Sequence, residues 1–272
     1  MSSPFDPGHD GVTRRVDEIY AAQTWPLLPA ASDLHAYETA LLLGPTALQV
    51  LLLGVTPSLY RLPWPHESTV RAVDRSPQMV QHVWPGSSDC AHVGEWSPLP
   101  YCDATFDRVV TDGGLAFLGP SMIGVIGTEV ARVLRPGGLF VARVYVWNRV
   151  ETMGRIMDDI RRRAIETVNE YRIRSWSALQ TSTVSGVSLQ AAYDAVVGPM
   201  GSLEQLVEHS GLEPAQFLPF QIGAHSTMRY TMWDIEELVD LMTASTDLEF
   251  AGATEPEHRL GHLCPVLAFR RS

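Results

Sequence analysis

Residues 48–54 read LQVLLLG and residues 69–77 read TVRAVDRSP, and these two stretches decide the fold. The first is a short, continuous apolar run closed by Gly54, the pattern of a strand buried on both faces of a sheet. The second is a strand over 69–73 followed by Asp74. Ser76-Pro77 then supplies an N-cap with proline at the first helical position, which opens a helix to about Val83.

The pattern extends in both directions. Downstream, residues 91–93 predict a third strand, 106–111 (FDRVVT) a fourth and 121–134 a helix. A fifth strand is expected over 139–146, after the turn Arg135-Pro136-Gly137-Gly138. Strands and helices alternating at this spacing require right-handed crossovers and a parallel sheet. Upstream, a helix is expected over 33–43, stopped by Gly44-Pro45. The first ten residues, rich in Ser, Pro, Gly and Asp, read as a frayed end. Beyond Val150 the alternation lapses. Met153, Ile156, Met157, Ile160, Ala164, Val168 and Tyr171 predict one amphipathic helix over 151–171, with Arg161, Arg162 and Arg163 on its solvated face. Residues 175–200 carry no assignable pattern. Ser202-Leu203-Glu204-Gln205 predicts a capped helix to Ser210. A sixth strand is expected over 216–222, a capped helix over 231–242 and a seventh strand over 265–270. The expected architecture is α/β, a doubly wound, mostly parallel seven-stranded sheet with a helical insert. Residues 1–45 would form an N-terminal helical segment, 46–149 the ligand-binding core, 150–200 the insert and 201–272 the completion of the sheet.

Composition bounds the function. The 272 residues are 45% apolar and 19% charged, which is globular. A net charge of −11 argues against a nucleic-acid partner, because such affinity comes mostly from phosphate neutralisation. The 20 basic residues are all arginine, so a lysine Schiff base and a P-loop are excluded. Cys90, Cys102 and Cys264 are sparse and unpaired in spacing, as reduced thiols are. The polar N-terminus carries no secretory signal. The most apolar long window, 115–134, is interrupted by Gly119, Pro120, Glu129 and Arg132, unlike a membrane span. A cytoplasmic protein with no membrane association is expected. His258 and His262, the one helically spaced histidine pair, sit in a loop-like stretch, so no metal is expected.

In an open parallel sheet, ligands bind at the carboxyl ends of the strands. Asp74 is the most telling residue there. A carboxylate about 20 residues beyond the glycine turn is placed to accept hydrogen bonds from two ribose hydroxyls, or else to cap the helix that follows.

Residues 50–146 resemble the core of class I S-adenosylmethionine-dependent methyltransferases, with a Rossmann-like fold. Four segments in order carry the likeness: VLLLG (50–54), VRAVDRSPQMV (70–80), GEWSPLPYCDATFDRVVTDGGLAFL (94–118) and EVARVLRPGGLFVAR (129–143). The resemblance implies S-adenosylmethionine as cofactor and a role for each matching residue. Gly54 would let backbone approach the methionine end, and Asp74 would hold the ribose. Arg75 and Met79 would lie along the adenine, Glu95 would meet its amino group and Trp96 would flank the ring. Asp112 and Gly113 would border the methyl donor and the acceptor pocket. Plainer readings stand beside these: Met79 and Trp96 as packing, Glu95 as a solvated acid, and Asp112-Gly113-Gly114 as a turn.

The first motif departs from the family. It reads Gly54-Val55-Thr56-Pro57-Ser58, with one glycine where the family carries three. Val55 and Pro57 add bulk and Pro57 removes a donor, while Thr56 and Ser58 offer hydroxyls instead. Two functions follow. One is methyl transfer to a small-molecule acceptor. The other is a non-catalytic, methyltransferase-like binding or regulatory protein with cofactor binding lost or weakened. Side chains of Val55, Pro57 or Tyr60 filling the pocket would favour the second. Asp112, His225 and Tyr230 come under consideration as a base, but no catalytic residue is assigned. The insert and the segment 225–233 are expected to cover the pocket, and a homo-oligomer or protein partner stays open.

Overall fold

The computed structural model describes residues 16–272. The ten-residue polar end expected to fray lies outside the described residues. Two short N-terminal helices, α1 (Val16–Ala21) and α2 (Ala31–Leu41), lead into β1 (Gln49–Leu53), a single helical turn α3 (Pro57–Tyr60), β2 (Thr69–Asp74) and β3 (Ala91–Val93). Then come β4 (Phe106–Asp112), α4 (Pro120–Val133) and β5 (Leu134–Arg143). The helices α5 (Met153–Arg161) and α6 (Val168–Leu179), the short strand β6 (Val187–Ser188) and the helices α7 (Leu189–Met200), α8 (Leu203–Ser210) and α9 (Leu218–Gln221) follow. The chain closes with β7 (Arg229–Tyr230), α10 (Ile235–Thr243), β8 (Leu248–Thr254) and β9 (Val266–Arg271).

Seven strands make one sheet in the order β3-β2-β1-β4-β5-β9-β8. The first five run parallel; β9 is antiparallel to β5, and β8 antiparallel to β9. Strand order reverses between β1 and β4, which opens a crevice at their carboxyl ends. The apolar run at β1 works as read. Val50 and Leu52 pack under the sheet with Tyr37, Leu41 and Leu59, while Leu51 and Leu53 pack on the other face with Ile123, Val130 and Trp233. Helices α5–α9 surround an apolar core of their own that includes Ile156, Ile160, Tyr171, Val196, Leu206 and Phe220. β6 pairs antiparallel with β7 beside it.

Several expectations are corrected. Residues 216–222, read as a strand, are short helical turns instead, because Pro214 and Pro219 remove the donors a strand needs. The true remaining strand is β8, which sits at the sheet edge with most of its side chains in solvent and a register shift at Phe250/Gly252. The helix expected over 151–171 is two helices. Arg163, at φ +55°, breaks it, and Thr167 caps α6 by accepting the Glu170 N–H. Arg161, Arg162 and Arg163 are exposed as expected. α2 ends at Leu42, which itself takes the left-handed conformation two residues before Gly44. The helix expected from Thr231 starts at Ile235, capped by Asp234. β5 begins earlier than expected and ends at Arg143, leaving Val146 as a single bridge to Trp233. Ser202 caps α8 as read, accepting the Gln205 N–H.

The seam between α4 and α10 is tight at Gly127. A Cβ there would stand 2.9 Å from the Met242 carbonyl oxygen and 3.0 Å from Met242 Sδ. Gly127→Ala is therefore expected to destabilise the protein by about 1–3 kcal/mol through overpacking. Urea titration would read this as a lower midpoint at unchanged slope; an unchanged midpoint would mean the helices can separate freely.

Candidate functional site

The carboxyl ends of β1, β2 and β4 converge on a cavity of about 430 Å³, within the range of small-molecule sites. Gly54 ends β1 at φ +94°, a conformation that strains any residue with a Cβ. This turn sends the Val55 N–H to Asp74 Oδ2 at 2.8 Å, while the Ser76 N–H reaches Asp74 Oδ1 at 2.8 Å. Each carboxylate oxygen thus takes one backbone donor and keeps a lone pair for a further one. Burial pushes the Asp74 carboxyl above its ordinary 3.8, against the pull of those two N–H groups and of Arg75.

The bulk in the first motif divides: Val55 lines the cavity, while Pro57 and Tyr60 stay out of it. Val55 and Leu59 pack into the core under the sheet, Pro57 is buried, and Tyr60 meets Trp84 edge to face at 4.9 Å. Neither Pro57 nor Tyr60 lines the cavity, whereas Thr56 does.

All nine residues singled out for the cofactor open onto this one cavity: Gly54, Thr56, Asp74, Arg75, Met79, Glu95, Trp96, Asp112 and Gly113. Their settings differ. Met79 is both wall and core, in a single π-type turn (Met79–Val83) packed under the sheet. Trp96 gives its Nε1–H to the Val73 carbonyl at 3.1 Å and lays its ring over Gly54 and Gly114. It therefore forms the floor beneath the glycine turn. Glu95 is exposed at the rim, and Arg75, also exposed, holds its guanidinium 5.8 Å from the Phe117 ring centre. Gly113, at φ +64°, lies against Tyr145, whose Oη would be 2.5 Å from a Cβ there.

Asp112 belongs to a buried ionic cluster. Arg143, with no exposed surface, gives Nε to Asp112 Oδ1 at 2.6 Å and Nη2 to Oδ2 at 3.1 Å. Its Nη1 makes an ionic contact with Asp33 Oδ2 at 3.1 Å, off the hydrogen-bond axis. Tyr37 Oη accepts the Arg143 N–H at 3.0 Å and shares its proton between Thr111 O at 2.7 Å and Asp112 Oδ1 at 3.2 Å. His258 takes the Leu260 N–H on Nδ1 and faces Asp33 Oδ1 with Nε2 at 3.1 Å. Burial works against the Arg143 charge, but Asp112, Tyr145 and Asp33 outweigh it and hold the guanidinium protonated.

Sequence reading missed the roof. Tyr20 at the end of α1 and Gln23, Leu27 and Leu28 of the strap joining α1 to α2 line the cavity, as do Phe117, Tyr145 and Tyr230. The strap is pinned where Asn169 Nδ2 donates to Gln23 Oε1 at 3.1 Å and to Thr24 O at 2.8 Å. Tyr20 Oη is buried with no hydrogen-bond partner among the described residues, and burial followed by the Asp112 charge raises its pKa. None of the wall residues comes from 150–200, and of the segment 225–233 only Tyr230 reaches the wall. His225 is exposed and outside it. No helix of the described residues is long and apolar enough to cross a membrane. Among the same residues no group of three or more His, Cys, Asp or Glu is arranged for a metal ion.

Comparison with known proteins accords with this geometry. Residues 51–142 match the family model of a methyltransferase domain. No curated protein matches the chain. Solved structures of low identity share the fold. A Rhodobacter sphaeroides protein described as a Zn-dependent alcohol dehydrogenase gives a TM-score of 0.56 at 15% identity, over 96% of this chain and 99% of that one. An S-adenosylmethionine-dependent methyltransferase from Mesorhizobium loti gives 0.52 at 12% identity, over 90% and 100%. A chain from the complex of the Haloferax volcanii Trm112 methyltransferase activator with a methyltransferase gives 0.50 at 16%, over 87% and 88%. The fold is the Rossmann-like class I methyltransferase fold. Residues 51–142 are similar to a methyltransferase domain, and S-adenosylmethionine is the cofactor class with which these findings accord.

Two outcomes follow from the buried charges. Arg143→Met strands Asp112 and Asp33 without a cation and is expected to cost about 3–5 kcal/mol in urea unfolding, with Asp112→Asn in the same chain recovering part of it. For Asp74, the folded state holds the proton more tightly than the unfolded chain. Its contribution to stability therefore falls as pH rises from 3.8 through the raised folded value. Asp74→Asn should flatten that part of the pH–stability curve, and an unaltered slope would show that the carboxyl titrates normally.

Proposed function

We propose that this protein transfers a methyl group from S-adenosylmethionine to a small-molecule acceptor. The observation that carries the reading is the single cavity into which the first-motif turn, Asp74, Glu95 and Asp112 all open, and which continues past β4 to Phe117, Tyr145 and Tyr230. The residues present fit the cofactor. Asp74 keeps lone pairs for the ribose hydroxyls, Met79 and the rim around Glu95 suit the adenine, and Gly54 lets backbone come close at the amino-acid end. The orphaned Tyr20 Oη and the Thr56 hydroxyl are donors on that side.

When bound, S-adenosylmethionine supplies an electrophilic methyl group. The chain's task is to align an acceptor lone pair with it and to exclude water. The wall offers little for removing a proton. Asp112 is occupied by Arg143 and Tyr37. Burial raises the pKa of Tyr145 and of Tyr230, so both phenols keep their protons. The acceptor therefore arrives with its lone pair already free, and positioning does the rest.

Calorimetric titration with S-adenosylmethionine and S-adenosylhomocysteine tests the reading. Micromolar-range binding is expected, weakened by about 1–3 kcal/mol in Asp74→Ala because buried donors lose their acceptor. No heat and no thermal shift at millimolar ligand would overturn the enzyme and leave a methyltransferase-like scaffold.

A further inference from the structure

Two phenols in the cavity wall carry hydroxyls that the fold leaves unused. Tyr145, just past the end of β5, and Tyr230, on β7, are 4% and 8% exposed, and both line the cavity. Other buried phenols behave differently: Tyr37 Oη is hydrogen-bonded in the core, and Tyr171 Oη is sealed off without a partner. The Tyr145 and Tyr230 hydroxyls make no hydrogen bond among the described residues, yet neither is sealed off. Tyr145 Oη stands against Gly113, itself cavity wall. The Tyr230 ring stacks on Trp176 at 4.4 Å and meets Phe117 at 4.8 Å, so its hydroxyl is what it has left to offer. An almost buried donor without an acceptor costs free energy until a ligand supplies one.

The surrounding charges say what kind of atom that is. Burial keeps both phenols protonated, against the pull of Arg143 on Tyr145 and of Arg172 and Arg75 on Tyr230. Positive potential at a hydroxyl strengthens it as a donor and attracts an electron-rich ligand atom. A full negative charge finds no counter-ion to touch at this end. Arg143 is committed to Asp112 and Asp33, and Arg75, the one basic side chain among the wall residues, is exposed at the rim beside Phe117. A cation is disfavoured too, because guanidinium groups already lie 5.8 Å from the Phe117 ring centre and 5.9 Å from that of Tyr145. The other surfaces nearby, Leu27, Leu28 and Phe117, are apolar.

We infer that the methyl acceptor is an uncharged, flat carbonyl compound, and that the Tyr145 and Tyr230 hydroxyls are the donors that hold its carbonyl oxygen. The inference rests on the methyltransferase reading and names the substrate class for it. A carbonyl oxygen has two lone pairs and matches phenol donors without bringing charge into the wall. It serves as a handle, and the atom that takes the methyl group lies elsewhere in the compound.

Four probes of one shape test this: acetophenone, α-methylstyrene (a methylene group in place of the carbonyl oxygen), benzoate and the benzamidinium cation. Each is titrated into the protein saturated with S-adenosylhomocysteine, followed by calorimetry or saturation-transfer NMR. Tyr145→Phe, Tyr230→Phe and the double variant remove only oxygens that have no partner in the fold. The double variant is expected to bind acetophenone about tenfold or more weakly while keeping α-methylstyrene within about twofold. On the wild type, benzoate and benzamidinium should each bind at least about tenfold more weakly than acetophenone. Acetophenone affinity unmoved by the substitutions, an equal fall for α-methylstyrene, a charged probe binding best, or binding of none at millimolar concentration would overturn the inference. So would a loss that falls on S-adenosylhomocysteine, since the phenols would then serve the cofactor. If S-adenosylhomocysteine does not bind the wild type, the methyltransferase reading fails, while acetophenone and α-methylstyrene on the cofactor-free variants still decide whether the phenols hold a carbonyl.

Discussion

Arg143 is the residue on which the rest of the site's geometry depends. It stands at the carboxyl end of β5 with no exposed surface and reaches Asp112 at the end of β4, Asp33 on α2 and the Leu27 carbonyl of the strap. Through Asp33 it also draws in His258 from the loop after β8. Four separated pieces of chain are fixed by one guanidinium. A buried ion cluster of this kind gains little net energy on forming, because desolvation offsets attraction, yet losing one member leaves the others without partners. Its effect is to allow one arrangement of the crevice and to penalise the rest. Asp112 can face the cavity as a wall, with its carboxylate turned inward and spoken for, only because this cluster holds it.

The altered first motif makes sense within that frame. The turn after β1 demands a left-handed residue at one place, and Gly54 fills it. At the following positions what matters is which way side chains point. Val55 puts its N–H on Asp74 and its side chain in the core, and Pro57 starts a helical turn whose own N–H would have had no partner in any case. The glycine-rich version of such a turn is therefore one solution among several to a single requirement, an open approach to Asp74.

The parts of the fold that announce themselves in sequence are those whose pattern has one physical cause. A strand buried on both faces must be apolar throughout, so 48–53 could be read directly. Asp74 and Ser76-Pro77 mark a strand end and a helix start by their own chemistry. β8 could not be read that way, because an edge strand answers to solvent on most of its positions and carries Glu249, Gly252 and Thr254 without loss. The stretch 216–222 misled for the converse reason. Phe217, Phe220 and their neighbours are apolar because they fill the core of the helical layer, and that burial imposes no strand period. The roof was illegible on other grounds. Tyr20, Gln23, Leu27 and Leu28 have no motif, and they are placed by residues remote in sequence: Asn169, about 145 residues away, and Arg143 pin their strap.

The pinned strap has a thermodynamic consequence. Residues 20–28 roof the cavity, bind Arg143 through Leu27 and bind α6 through Gln23 and Thr24. Whatever fills the cavity completes a layer that the protein alone leaves hollow, and its binding energy adds directly to the cost of lifting that strap. Amide hydrogens along the strap thus become a gauge of occupancy. They exchange on the free protein through local opening, and each bound ligand slows that exchange by the factor it contributes to the closed state.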